Sequence, residues 1–257
     1  MISLRFFGTG GLGSIRVKNK FSKEYRRFST LLIDEKIIID PSEDIFEFLE
    51  SFMLGGMLDS VCDVFITHSH LDHFSLTAIE KLASAKKIRV YASSAMKDEI
   101  LGLCNVDYVE LSPFAMQRID KYTVLPLPAN HRTDIPFEVT LNYLVECEGK
   151  RLFYGLDGAF INAAAMEVLK EVTLDAVILD CALGNEPYSD KSVNHNNLDM
   201  VRTIYDILMS SGTANDNTKF ILSHIPTAKK RFIHDELCEA VADSPIKVAY
   251  DGYFLGI

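Results

Sequence analysis

The chain predicts an α/β protein, and three observations carry that reading. Short apolar runs recur along the whole length, stretches with apolar residues at helical spacing lie between them, and no run is long enough to span a bilayer. At 257 residues, with no Pro/Gly/Ser linker and no repeat of fixed period, a single domain covering 1–257 is expected.

The candidate strands lie near 2–7, 30–34, 37–40, 62–67, 88–92, 106–109, 122–127, 138–147, 151–155, 175–180, 218–223 and 247–255. β-branched and aromatic residues fill them, as in Ile37-Ile38-Ile39 and Val64-Phe65-Ile66. Between Asn142 and Leu156, two such runs flank Glu148-Gly149-Lys150, a triplet suited to a hairpin turn. Helical periodicity appears at Leu76, Ile79, Leu82 and Ala83, then at Ala164, Val168 and Leu169. It returns at Leu198, Val201, Ile204, Tyr205 and Leu208, and finally at Phe232, Glu236, Leu237 and Ala240. Helices layered over sheet follow from this alternation. Ser210–Asn217 reads as a surface loop, and Gly8-Thr9-Gly10-Gly11-Leu12-Gly13 as a flexible turn, since no Gly-Lys-Ser/Thr and no periodic helix follows it.

A formal net charge of -10 argues against a protein that grips long nucleic acid through its phosphates. Arg26-Arg27, Lys86-Lys87 and Lys229-Lys230-Arg231 are expected on the solvated surface, each able to touch one phosphate of a small substrate. Five scattered cysteines, never in a C-x-x-C pair, suit reduced and mostly buried thiols, with Cys181 among the buried ones. The N-terminal segment enters an apolar strand pattern without a signal-like stretch, so a cytoplasmic location is expected. His234, on a helical stretch, is expected to face solvent and receives no role.

Chemistry concentrates in His68-Ser69-His70-Leu71-Asp72-His73, which follows the apolar run Val64-Phe65-Ile66-Thr67. Imidazoles and carboxylates are costly to bury unpartnered, so this density at a strand end points to a shared cation. On an extended chain His68 and His70 fall on one side, while Asp72 and His73 turn toward a second ion. His131, Asp157 and His224 each stand where an apolar run ends. Singly, each reads as a cap or turn residue; together, they read as donors converging on one crevice.

HSHLDH followed by His131, Asp157 and His224 resembles the ligand series of the metallo-β-lactamase superfamily over nearly the whole chain. That resemblance implies a four-layer αββα sandwich. It also implies His68, His70 and His131 at one metal, Asp72, His73 and His224 at a second, and Asp157 between them. The cofactors implied are two divalent ions, Zn or Mn before Ni or Fe. Asp40 matches an aspartate that orients a ligand histidine, although a turn before Pro41 accounts for it equally.

Several further stretches are similar to the phosphoribosyl cyclic phosphate phosphodiesterase branch. They are Phe7-Gly8-Thr9-Gly10-Gly11, Tyr25-Arg26-Arg27, Leu125-Pro126-Leu127-Pro128-Ala129-Asn130-His131, Leu179-Asp180-Cys181, Asn194-His195-Asn196-Asn197-Leu198 and Ile221-Leu222-Ser223-His224-Ile225. The implied activity is hydrolysis of small, including cyclic, phosphodiesters by metal-activated water. Catalytic roles fall to Asp72 and to His195, which faces the phosphate; without the resemblance His195 is polar surface. Residues 14–24 hold no cysteine, so the branch's extra structural zinc is not expected, and Gly158-Ala159 after Asp157 departs from the usual pattern. The expected partner is a small-molecule phosphodiester, with no membrane and no nucleic acid, and the resemblance adds a possible homodimer. Rival readings are a tRNA 3'-processing endonuclease, a carbon-ester hydrolase (lactonase, thioesterase or β-lactamase), and a non-enzymatic metal-dependent binding protein.

Overall fold

A computed structural model describes residues 1–14, 16–189, 193–225 and 233–257. The basic cluster Lys229-Lys230-Arg231 and Phe232 lie outside the described residues. Two seven-stranded sheets form the centre. The first runs β14 (Phe254–Gly256), β1 (Ser3–Gly8), β2 (Thr30–Ile33), β3 (Ile37–Ile39), β4 (Asp63–Phe65), β5 (Ile88–Ala92) and β6 (Val106–Glu110). The second runs β13 (Lys247–Val248), β12 (Lys219–Ser223), β11 (Ala176–Asp180), β10 (Lys150–Gly155), β9 (Leu141–Cys147), β8 (Tyr122–Pro128) and β7 (Gln117–Ile119).

Strand alternation sorts the apolar side chains into three layers. Phe6, Leu31, Ile39, Phe65, Tyr143, Leu152 and Tyr154 meet between the sheets, where Phe65 stacks on Tyr91 at 4.3 Å. Their alternate neighbours face outward. Leu32, Ile38, Val64 and Val90 pack under α1 (Asp44–Ser51), α2 (Leu76–Ala83) and α3 (Lys97–Leu101). Phe153, Val177, Leu179 and Leu222 pack under α4 (Ala163–Leu169), α5 (Leu198–Ser210) and α6 (His234–Ala240). The result is the αββα sandwich. No helix among the described residues is long and apolar enough to cross a membrane.

The hairpin turns at Glu148-Gly149, both with positive φ, as the sequence pattern requires. Other expectations need correction. The run 247–255 is two strands in different sheets, broken at Asp251-Gly252, with Gly252 at φ +94°. β9 starts at Leu141 rather than near 138, and β7, α1 and α3 lie outside the elements read from the sequence. α1 carries a one-sided apolar stripe, with Ile45 and Phe48 buried and Leu49 packed beside them, at a helical spacing as regular as that of α2. Within Ser210–Asn217, Thr213 and Ala214 are buried. Cys147 and Cys181 are buried as expected, but Cys62 and Cys104 are exposed.

The largest correction concerns Arg26-Arg27 and His234, all buried rather than solvated. The Arg26 guanidinium donates to the Thr9 hydroxyl (2.8 Å) and the Ala249 carbonyl (3.0 Å), and its other amine lies 3.1 Å from His234 Nδ1. Arg27 pairs with Asp251 at 3.2 Å, and Asp251 also accepts from Thr9 and from the Arg27 amide. These contacts fasten the 8–11 segment from below, so it is a held loop and not a flexible one. Gly8 is required there, because a Cβ would stand 1.9 Å from the Phe28 carbonyl oxygen.

Burial, helped by Arg26 and Lys23, lowers His234 to about 4. The unfolded chain, with an imidazole pKa of about 6.5, therefore takes up this proton first as the pH falls. Stability from keeping His234 neutral is complete above the unfolded value and is lost toward the folded one. Urea midpoints should fall between pH 7 and pH 5, and His234→Gln, which keeps an acceptor for Arg26 without titrating, should shrink that fall.

Candidate metal centre

Strands β3, β4, β8, β10, β11 and β12 all point their C-terminal ends at one edge of the sandwich, and the candidate residues sit just beyond them. Asp40 follows β3, His68–His73 follow β4, His131 follows β8, Asp157 follows β10, Asp180 ends β11 and His224 follows β12. Asp40, Asp157 and His224 turn sharply there, with φ of 51°, 54° and 52°. Such left-handed backbone is uncommon for a residue with a side chain, and it swings each group into the crevice.

His68 Nε2 and His131 Nε2 stand 3.0 and 3.1 Å from His70 Nδ1. The two Nε2 atoms lie 3.3 and 3.7 Å from Asp157 Oδ2. His73 Nε2 is 3.0 Å from Asp157 Oδ2, and His224 Nε2 is 3.0 Å from Asp157 Oδ1. Asp72 Oδ2 closes the second group, 3.6 Å from His73 and 3.8 Å from His224. All seven predicted donors are thus brought together.

The outer hydrogen bonds decide which way the lone pairs point. Asp40 Oδ2 accepts from His73 Nδ1 (2.8 Å) and from the Thr67 hydroxyl (2.7 Å), which leaves Thr67 Oγ1 to accept from His68 Nδ1 (3.0 Å). The Asn194 carbonyl accepts from His131 Nδ1 (2.9 Å). Ser29 gives its hydroxyl proton to the Gly10 carbonyl and so accepts from His224 Nδ1 at 3.1 Å. Each Nδ1 proton is taken, and four Nε2 lone pairs face inward. His70 is reversed, with Nδ1 inward. Asp40 therefore orients a histidine; the turn reading fails to account for its three acceptor contacts.

The residues fit a divalent cation. Donors about 2.1 Å from one ion at tetrahedral angles stand about 3.4 Å apart, close to the spacings found. His73 Nε2, Asp72 Oδ1 and Asp157 Oδ1 are buried without a hydrogen-bond partner, which is costly unless an ion completes them. Burial opposes charge on His73, yet Asp157, Asp72 and Asp40 hold its pKa well above the ordinary imidazole value, so the local field favours positive charge. Burial instead lowers His131 to about 3, leaving it neutral and ready to ligate.

Several supporting residues had no role in the sequence reading. The Leu12 amide donates to Asp72 Oδ2 (2.8 Å), and Gly11 lies so close to His224 that a Cβ would meet Nε2 at 2.4 Å. Glu138 accepts from the Ser69 amide (2.9 Å) and its hydroxyl, bracing the link between His68 and His70. Asp180 accepts from the amides of Gly158 (3.0 Å), Ala182 (3.2 Å) and Asn196 (2.8 Å), tying three loops together. Burial and Asp157 push its carboxyl up to about 7. Asp180 bears the signal that marked Asp157, a carboxylate at the end of an apolar strand. Ser29 bears none.

His195 stands at the cleft wall, 28% exposed, with Nδ1 3.7 Å from Asp157 Oδ1 and 4.0 Å from Asp180 Oδ2. Asn196 accepts from the Phe160 amide and Asn197 caps α5, so the Asn-rich segment is a built support and not loose surface. Burial lowers His195 to about 4. The cleft, about 250 Å³, is lined by these groups with Gly11, Leu12, Ala182 and Leu183.

Gly11→Ala should displace His224 while leaving the sandwich folded. Metal content by plasma emission spectrometry, together with a metal titration, should show affinity weakened about 10–100-fold, with unchanged far-UV circular dichroism.

A family model described as beta-lactamase superfamily domain matches residues 35–225. No curated protein sequence matches the chain. Among solved structures, the metallo-beta-lactamase fold protein YhfI from Bacillus subtilis is similar at TM-score 0.75 and 16% identity, covering 99% of this chain and 98% of that one. Zn(2+)-bound PqqB from Methylobacterium extorquens is similar at TM-score 0.74 and 14% identity, covering 99% and 100%. The short form of human tRNase Z is similar at TM-score 0.69 and 16% identity, covering 99% of each. With most of its length matched by the family model, the chain belongs to the metallo-β-lactamase superfamily of metal-dependent hydrolases.

Proposed function

We propose that the protein is a dinuclear phosphodiesterase acting on small phosphodiesters, five-membered cyclic ribose phosphates first among them. One ion would be held by His68, His70 and His131, the other by Asp72, His73 and His224, with Asp157 offering an oxygen to each; Zn and Mn are the first choices, Ni or Fe the alternatives. When bound, the ions would supply Lewis acidity and lower the pKa of water.

The observation that carries the proposal is His195, an imidazole in the cleft wall whose buried Nδ1 has no hydrogen-bond partner. In its neutral form the ring can donate to a non-bridging phosphate oxygen. A bound phosphodiester anion works against the burial that lowers its pKa, raising proton affinity toward the range where the ring can protonate the leaving oxygen. That proton matters because a sugar alkoxide is a poor leaving group. Asp72 also lines the cleft; its Oδ2 is held by the Leu12 amide, and its Oδ1, which has no hydrogen-bond partner, would be the atom to take a proton from the attacking water.

Among the described residues no Lys or Arg lines the cleft, which suits a monoanionic diester better than a longer polyanion. A cleft of about 250 Å³ walled by Gly11, Leu12, Ala182 and Leu183 suits a compact substrate. The fold shared with human tRNase Z leaves a precursor tRNA to be tried alongside, but a net charge of -10 opposes a long RNA.

His195→Ala should retain its metal and lose about 10²–10⁴ in kcat on substrates with alkyl leaving groups. The loss should be far smaller with p-nitrophenolate, which needs no proton. An equal rate for wild type and variant on both would refute the role. Trials on cyclic ribose phosphates, precursor tRNA, thioesters and lactams should show the cyclic diester preferred; Asp157→Ala should lose metal as well as activity.

A further inference from the structure

A second hollow, about 250 Å³, lies at the far end of β12 from His224 and shares no lining residue with the metal cleft. Lys219, Ile221 and Lys247 line it from the second sheet, Tyr253 and Leu255 from the chain that forms β14 in the first, so it opens between the sheets beside their edge strands β13 and β14. The register accounts for its charge. Ile221 pairs with Lys247 across parallel β12 and β13, so these side chains leave on one face, and Lys219, two positions before Ile221, leaves on it too. That face turns toward the first sheet, because Ile221 belongs to the core between the sheets while Phe220 and Leu222 pack under the helices. Both lysines are exposed, and neither pairs with a carboxylate among the described residues, although Asp216 stands on the same rim. Tyr253 is half-buried, its ring held by Phe6 at 5.8 Å and Tyr250 at 5.5 Å, and its hydroxyl has no hydrogen-bond partner among the described residues.

We propose that this hollow binds a compact amphipathic anion, a carboxylate on an apolar body of medium-chain length. The head would lie between the two ammonium groups and accept from the Tyr253 hydroxyl, while the body rests on Ile221, Leu255 and the Tyr253 ring. Two like charges set diagonally on one sheet face repel each other, and an anion between them replaces that repulsion with two attractions. An ionised carboxylate only accepts hydrogen bonds, and its two oxygens have room for all three donors.

Size and charge narrow the choice of ligand. The volume is below the roughly 300–1,000 Å³ of pockets for drug-sized molecules, which limits the body to a short chain or a single ring. An inorganic anion would leave the apolar floor uncovered, and a cation would meet both lysines. A long polyanion would lie over a surface whose net charge is -10.

The test is isothermal titration calorimetry of the full-length, metal-loaded protein with octanoate, acetate and octylamine. Octanoate should bind with one-to-one stoichiometry. Acetate, which has the head without the body, and octylamine, which has the body with the opposite charge, should each bind at least about tenfold more weakly. The double variant Lys219→Gln/Lys247→Gln should weaken octanoate by about tenfold or more, and Leu255→Ser should weaken it without changing acetate, while circular dichroism, metal content and hydrolytic rate stay at wild-type values. Absence of octanoate binding by the wild type overturns the proposal, as does binding indifferent to the double variant or equalled by octylamine. Self-association that sedimentation velocity detects in the wild type and not in the double variant would also overturn it, giving the hollow to a neighbouring copy.

Discussion

The structure depends on a set of lone pairs that cannot satisfy one another. His68, His70, His73, His131 and His224 point nitrogens at the same small volume as the Asp72 and Asp157 carboxylates, and the spacings of 3.0 to 3.8 Å are those of groups around a shared positive charge. Hydrogen bonds among the rings cannot resolve this, because the Nδ1 protons of four of them are committed outward, to Asp40, Thr67, Asn194 and Ser29. A cation is the simplest species that meets every donor at once, and the two sheets provide the rigidity that keeps the donors from relaxing apart.

The supports arrive from most of the chain. Asp40 acts through His73 and Thr67 from the end of β3, Asp180 binds three loops from β11, and the 8–11 segment presses on His224 because Arg26, Arg27 and Asp251 hold it there. Arg26, Arg27, Asp40, Asp180 and Asp251 each make at least one hydrogen bond, although the Nε of Arg26 and of Arg27 makes none, so order passes from the packed sheets to the inward-facing atoms through paired charges.

Much of this was legible in the residues. Short apolar runs located eleven strands to within a few positions, and the density of histidine in HSHLDH marked the site by itself. Resemblance supplied His195 and the sandwich arrangement. What escaped the reading depended on tertiary partners. Arg26-Arg27 looked like solvated charge because nothing local announces that Ala249 and Asp251, more than two hundred residues away, will meet them. His234 looked exposed because its partner Arg26 is equally remote. Ser29 and Thr67 act through single hydroxyls whose value exists only once a histidine stands beside them. The split of 247–255 into two strands turns on Gly252, whose left-handed φ a one-dimensional pattern does not reveal.

Left-handed backbone at Asp40, Asp157 and His224 sets stability against retention of the site. A non-glycine residue in that region pays a conformational penalty of about 1 kcal/mol or more, and glycine at any of the three would relieve it. Selection for thermal robustness alone, with no substrate to turn over, would reward such replacements and erode the cluster one residue at a time. Relatives that keep the sandwich but have drifted away from catalysis are therefore expected to show glycine at these strand ends, a signature readable from aligned sequences before any assay.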